Sequence, residues 1–234
     1  MHPADQEQGP TRGTVQVIAM CTCEYDPKTE LSLLDKEERE RYSAFRNPAQ
    51  GHDFAAAHIL KRKALARHLG GCDPARLRFV RQPSGKPCLC DTVVYFNISH
   101  AQGIVALAFS DHIQCGIDIE AHFRGGINDS LIAKSMTEEE RRTIAEAEFP
   151  HLDFYDRWVI KEALVKAQGV GLSRSFDTIC TARDFHPLNR DQGRIGNSLI
   201  WHRRASGFSL AVGAIAQQAR FIMDYPPSLS ICKT

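Results

Sequence analysis

The uninterrupted apolar run GIVALAFS, residues 103–110, constrains this chain more than any other stretch, because it reads as a strand buried in a core. RLRFVRQ (76–82) and VVYFNIS (93–99) precede it as alternating strands separated by the turn PSGKP, and IQCGIDIE (113–120) follows it. In CGIDIE alternate side chains share a face, so Cys115, Ile117 and Ile119 point one way and Gly116, Asp118 and Glu120 the other. Two carboxylates then stand side by side. Like charges at that spacing repel, and a cation between them relieves the repulsion.

Around these strands the sequence predicts helices. TVQVIAM (14–20) reads as a strand, Asp35 opens a helix in LSLLDKEERERYSAF, and a second helix runs from about Gln50 to Leu69, closed by Gly70 and Gly71. After a Gly-rich loop at Arg124 to Gly126, Thr137 is the expected N-cap of MTEEERRTIAEAE. DFYDRWVIKEALVKAQ forms a further helix ending at Gly169, and FDTICTAR, NSLIWHRR and FSLAVGAIA read as strands. The expected class is α+β with antiparallel sheets. HAQGIVALAF (100–109) and RASGFSLAVGAI (204–215) both set a small polar-Gly turn before an apolar strand, which hints at a duplication.

A chain of 234 residues, 43% hydrophobic and 24% charged, fits one large domain or two of about 100 residues each. Its net charge of +1 argues against holding nucleic acid through bulk positive charge. The first thirteen residues are polar and lack the apolar run of a signal peptide, and no segment approaches the roughly 18 apolar residues of a membrane span. A cytoplasmic location is expected. The eight cysteines are scattered and read as reduced thiols. The C-x-C pairs Cys21/Cys23 and Cys88/Cys90 lack zinc-knuckle spacing.

Taken singly, the polar motifs say little. Glu162 and Lys166 lie one turn apart on the Trp158 face beside Lys161, and such an i, i+4 pair is commonly a solvent-facing contact worth ~0.3 kcal/mol. The Ser-His of FNISHAQG can satisfy backbone groups at a turn, and PSGKP is a turn with a lysine. Their order is specific. G-K-P at Gly85, F-N-I-S-H at Phe96, G-I-D-I-E at Gly116 and W-x-x-K-E-A-x-x-K at Trp158 make the chain resemble the 4'-phosphopantetheinyl transferases of the long, two-half (surfactin-synthetase-activating) type, from about Leu34 to Ala216. Members of that family move phosphopantetheine from coenzyme A onto a serine of a carrier protein.

The resemblance implies a pseudo-dimer of two similar α+β halves, 14–112 and 113–220, flanked by tails at 1–13 and 221–234, acting as a monomer with the active site in the cleft. It implies Mg²⁺ held by Asp118, Glu120 and Glu162, with coenzyme A as co-substrate and 3',5'-ADP released. Catalysis falls to Glu162, Lys166 and His100, and Arg41, Arg81, Lys86, Ser99, His100 and Lys166 face the cofactor's phosphates. The expected partner is an apo acyl- or peptidyl-carrier protein or domain of fatty-acid, polyketide or nonribosomal-peptide synthesis, with neither nucleic acid nor membrane. Asp53 departs from the arginine of some relatives, which puts a 3'-phosphate contact in doubt unless Arg46, Lys61 or Arg62 compensates.

Two other readings stand beside this one: a non-catalytic module of the same fold that binds carrier or coenzyme A, and a metal-dependent phosphohydrolase. The phosphohydrolase leaves G-K-P and N-I-S-H unexplained. For carrier docking, Leu131, Ile132 and Met136 are expected to supply apolar contact and Lys134 electrostatic steering, the alternative being that these apolar residues pack into the core.

Overall fold

The computed structural model describes residues 12–23, 25–122, 127–169, 176–187, 189 and 191–225, so the expected Gly-rich loop at 124–126 lies outside the described residues. The first half runs through β1 (Arg12–Cys21), α1 (Lys36–Ser43), α2 (Pro48–His68), β2 (Phe79–Arg81), β3 (Pro87–Leu89), β4 (Tyr95–Ala101) and β5 (Ile104–Ser110). The second runs through β6 (Cys115–Ala121), α3 (Asp129–Ser135), α4 (Glu138–Glu146), α5 (Pro150–Gln168), β7 (His186–Pro187), β8 (Gln192–Ile195), β9 (Ser198–Ala205) and β10 (Phe208–Ile215), and β11 (Gln218–Asp224) is the last described strand. The two main sheets have the orders β11-β1-β5-β4 and β6-β10-β9-β8-β7. Every pairing is antiparallel except β1 with β11.

The echo in the sequence is a duplication in three dimensions. Each half pairs its first strand with the last strand of a hairpin, β1 with β5 and β6 with β10. Gly103 and Gly207 sit in the two hairpin turns with φ of 82° and 89°. Gln102 also has positive φ, so the first turn has the left-handed pair that lets a two-residue turn follow strand twist. The N–H of Thr22 donates to Gly103 O at 2.7 Å, and that of His122 to Gly207 O at 2.7 Å.

The helices repeat as well. Asp35 and Glu38 form a capping box on α1, and Thr137 and Glu140 form one on α4. In both halves the box glutamate is buried and continues into an ion pair with the long helix: Glu38 with Lys61 at 2.7 Å, Glu140 with Lys161 at 2.6 Å. Thr22 to His122 and Lys61 to Lys161 are both steps of 100 residues.

FDTICTAR is not a strand. Phe176–Thr178 is a 3₁₀ turn followed by turn residues 181–184, because side chains take the backbone donors a ladder would need. Glu140 accepts from Thr181 N–H and O–H, both at 2.7 Å, and Asp184 accepts from Cys180 N–H at 3.1 Å. The ends differ too. Residues 12–13, expected in the N-terminal tail, begin β1, and residues 221–224, expected in the C-terminal tail, complete β11. The cause is mutual pairing, Arg12 opposite Gln218 and Gly13 opposite Ala219, with Phe221 and Met223 packed on the central core. That core draws Val15, Val17 and Ile104 from one half and Ile117, Leu210 and Val212 from the other.

Helix α5 lies on β6 and β10 in direct backbone contact. Gly116 and Gly213 face each other across those strands, and a Cβ on Gly116 would fall 2.2 Å from Ala163 O and 2.3 Å from Ala167 N. Among the described residues no cysteine forms a disulfide, and no helix is long and apolar enough to cross a membrane. Replacing Gly116 with Ala is expected to lift α5 from the sheet and destabilise the fold by about 3 kcal/mol or more, read by urea denaturation; a loss under about 1 kcal/mol would mean that the helix yields freely.

Candidate active site

The join of the two halves gathers the polar residues of three elements. β6 supplies Asp118 and Glu120, α5 supplies Trp158, Glu162 and Lys166, and β4 supplies Ser99. Strand β4 is fastened to β6 by Asn97, whose side-chain carbonyl accepts from Ile117 N–H at 2.9 Å. That bond sets Ser99 against Asp118. Asp118 Oδ1 accepts from Ser99 Oγ at 2.9 Å and from Lys166 Nζ at 2.5 Å. Asp118 Oδ2 is buried and has no hydrogen-bond partner among the described residues. Lys166 also lies 3.9 Å from Glu162, so this i, i+4 pair is turned inward and its lysine answers chiefly to Asp118.

Three carboxylates share one ammonium, and the electrostatics show it. Burial first, then Asp118 and Glu162, push Glu120 up to about 7 against the opposing Trp158 hydrogen bond and the Lys166 charge. Burial also raises Glu162, opposed by Lys166 and reinforced by Asp118. For Lys166 burial disfavours the charge, but Asp118, Glu162 and Glu120 outweigh it and its pKa is raised. A divalent cation would remove the remaining negative excess.

Among the described residues no three His, Cys, Asp or Glu side chains are grouped as a metal site by themselves. The Lys166 ammonium already sits on Asp118 Oδ1. The orphaned Asp118 Oδ2 and the carboxylates of Glu120 and Glu162 are nonetheless hard oxygens of the chemistry that Mg²⁺ takes.

The expected phosphate contacts divide. Arg41 is exposed, its guanidinium 5.1 Å from the Phe54 ring centroid. Arg81 is largely exposed, 3.5 Å from Glu37. His100 is exposed on the face of β4 opposite Ser99; desolvation, then the charges of Lys166 and Arg41, hold its pKa below the usual histidine value against the pull of Asp53. Ser99 spends its one proton on Asp118. Lys86 departs from expectation: its ammonium donates to the carbonyls of Lys166 at 2.8 Å, Cys115 at 3.0 Å and Ala167 at 3.4 Å.

Asp53 accepts from Thr22 Oγ1 at 2.7 Å and Gly103 N–H at 2.8 Å, so it clamps the β4–β5 turn to the end of β1. Lys61 and Arg62 are buried on Glu38 and cannot stand in for a 3'-phosphate contact, whereas Arg46 is exposed. On α3, Leu131 is 40% exposed and Lys134 is exposed, while Met136 is fully buried with Ile144, Phe154 and Tyr155, and Ile132 packs against them. Sequence reasoning gave no role to Trp158, whose indole hydrogen-bonds Glu120, or to Asn97. Both stand inside the quoted motifs, which was the signal available.

Residues 114–220 match the model of the 4'-phosphopantetheinyl transferase superfamily, and residues 23–112 that of the 4'-phosphopantetheinyl transferase N-terminal domain. The boundary falls at the β5–β6 join. The chain is 32% identical over 176 residues to the L-aminoadipate-semialdehyde dehydrogenase-phosphopantetheinyl transferase of Mus musculus, a match covering 69% of this chain and 56% of that one. It is 31% identical over 149 residues to the 4'-phosphopantetheinyl transferase Sfp of Bacillus subtilis strain 168, covering 63% and 66%. To the 4'-phosphopantetheinyl transferase ffp of Bacillus subtilis it is 29% identical, covering 74% of each chain. The match thus spans little more than half the length of the mouse relative. The chain belongs to the 4'-phosphopantetheinyl transferase superfamily.

With divalent ions chelated, Glu120 carries a proton in the folded state up to pH about 7, against 4.5 for an ordinary glutamate. The folded state therefore binds more protons in that window, and stability should fall as pH rises from about 4.5 to about 7, then level off. The fall assigned to Glu120 should be on the order of 2 kcal/mol, measured as the difference between wild type and Glu120→Gln in urea unfolding. Parallel pH profiles for the two proteins would contradict it.

Proposed function

We propose that this protein transfers the 4'-phosphopantetheine group of coenzyme A to a serine of an apo acyl- or peptidyl-carrier protein, releasing 3',5'-ADP. The observation that carries the reading is the Asp118, Glu120, Glu162 and Lys166 cluster with its orphaned buried oxygen, set between two halves that both match transferase models.

In this reading the serine oxygen attacks the β-phosphorus, the bond from that phosphorus to the bridging oxygen breaks, and 3',5'-ADP leaves. Mg²⁺ would be held by Asp118, Glu120 and Glu162 and would neutralise charge on the diphosphate and leaving group. Lys166, fixed by Asp118 Oδ1, presents a permanent positive charge to the same oxygens. Glu162, its pKa raised by burial, is suited to take the serine proton. In the same reading His100 donates a ring N–H to phosphate. Arg41 and Arg81 are the guanidiniums open to the nucleotide end. Because both halves share one core within a single chain, a monomer suffices, and a cytoplasmic location is part of the same reading.

The test is to mix the protein with coenzyme A, Mg²⁺ and a panel of apo carriers of fatty-acid, polyketide and nonribosomal-peptide type, and weigh the carriers. Wild type should add one phosphopantetheine. Asp118→Ala should transfer at least ~100-fold more slowly with its circular dichroism intact, since a lost oxygen ligand costs several kcal/mol in the transition state. Coenzyme A bound without any gain in carrier mass would favour the non-catalytic module.

Carriers of this kind are generally acidic, so the exposed Leu131 and Lys134 of α3 are the proposed contact and steering residues. Met136 belongs to the core. Leu131→Ala with Lys134→Glu should raise KM for the carrier about tenfold, leaving KM for coenzyme A and stability within about 1 kcal/mol of wild type. Met136→Ala should instead cost about 2–5 kcal/mol of stability. Transfer unimpaired by the α3 pair would put docking elsewhere.

A further inference from the structure

Lys86 sits in the turn between β2 and β3 of the first half, yet among the described residues every bond of its ammonium is made to the second. An ammonium has three protons, and three carbonyls take them. Two belong to Lys166 and Ala167, in the last turn of α5, where the helix dipole is negative; Lys166 O also accepts from Gly169 N–H at 3.3 Å. The third is that of Cys115, the first residue of β6 and three residues before Asp118. Gly169, left-handed at φ 68°, caps the helix, and the Lys86 stem passes it: a Cβ there would be in ordinary contact with Lys86 Cδ at 3.6 Å.

We propose that Lys86 is a positioning residue that acts through Lys166: its three bonds fix the end of α5 to the start of β6 and so hold the Lys166 ammonium on Asp118. The proposal rests on the transferase reading of the site for its kinetic consequences alone. It also replaces the direct phosphate contact expected from G-K-P, and the two assignments differ in what they do to KM.

Lys86→Met keeps the stem and removes the donors. Its kcat should fall at least tenfold while KM for coenzyme A changes less than twofold, and amide hydrogen exchange at Lys166 to Gly169 should quicken more than tenfold with β1 unchanged. Because the effect runs through Lys166, the double variant Lys86→Met/Lys166→Met should be no slower than Lys166→Met alone. A raised KM for coenzyme A with kcat intact, additive losses in the double variant, or unaltered exchange would each overturn the proposal. Should the variant not fold, the wild type still decides: the ¹⁵N signal of Lys86 Nζ should stay put on adding coenzyme A while that of Lys166 moves, and a comparable shift of both would overturn it. Exchange needs no substrate, so a wild type that modifies no carrier would sink the functional reading and leave the strap to be judged on exchange.

Discussion

The site depends on the backbone contact between α5 and the strands beneath it. Gly116 and Gly213 are paired in register across β6 and β10, and with no side chain at either position the helix comes to rest on the sheet backbone. Glu162 and Lys166 flank Ala163 on the helix that makes this contact. From this close approach the Lys166 ammonium meets Asp118 on the neighbouring strand at 2.5 Å. Asp118 and Glu120 alternate with Cys115, Ile117 and Ile119, whose burial in the common core fixes which face of β6 turns to the helix.

The duplicated half shows the same scaffold without the chemistry. Stepping back 100 residues from Asp118, Glu120, Glu162 and Lys166 leads to Ile18, Met20, Arg62 and Ala66. The glycine pair is missing as well: Gln16 stands opposite Phe109 in the equivalent strands. A cavity of about 330 Å³ lies there between α2 and the sheet, lined by Gln16, Ile18, Leu60, Ala64 and Phe109. Two halves with one architecture thus carry one such carboxylate–lysine cluster among the described residues, in the half whose helix rests directly on its strands.

The buried lysine–glutamate pairs are what the halves kept. Burial would raise the Glu140 pKa, but the hydrogen bonds from Lys161, Thr181 and Thr137 outweigh it and hold the carboxylate ionised. Removing one partner of such a pair strands a charge in the interior and costs about 3–5 kcal/mol, which ties the short helix of each half to its long one. Lys161, next to Glu162 in the chain, is therefore part of the framework, and neighbours in one motif have unrelated tasks.

Local pattern determined a good deal. The capping residues Asp35 and Thr137, the buried strand 104–110, the end of α5 at Gly169 and the shared face of Asp118 and Glu120 follow from interactions within a few residues, so they are legible along the chain. Motif order also told which family the chain belongs to. Partner identity is another matter, because it depends on groups far apart in sequence. Thr181 satisfies Glu140 and so becomes a turn residue rather than a strand residue. Asp53 clamps a hairpin, β11 returns to the first sheet, and Lys86 spends its charge on carbonyls 29 to 81 residues away. A lysine in a Gly-Pro turn has the same local signature whether it meets a phosphate or a helix end; which acceptors desolvate it is decided by how the two halves close.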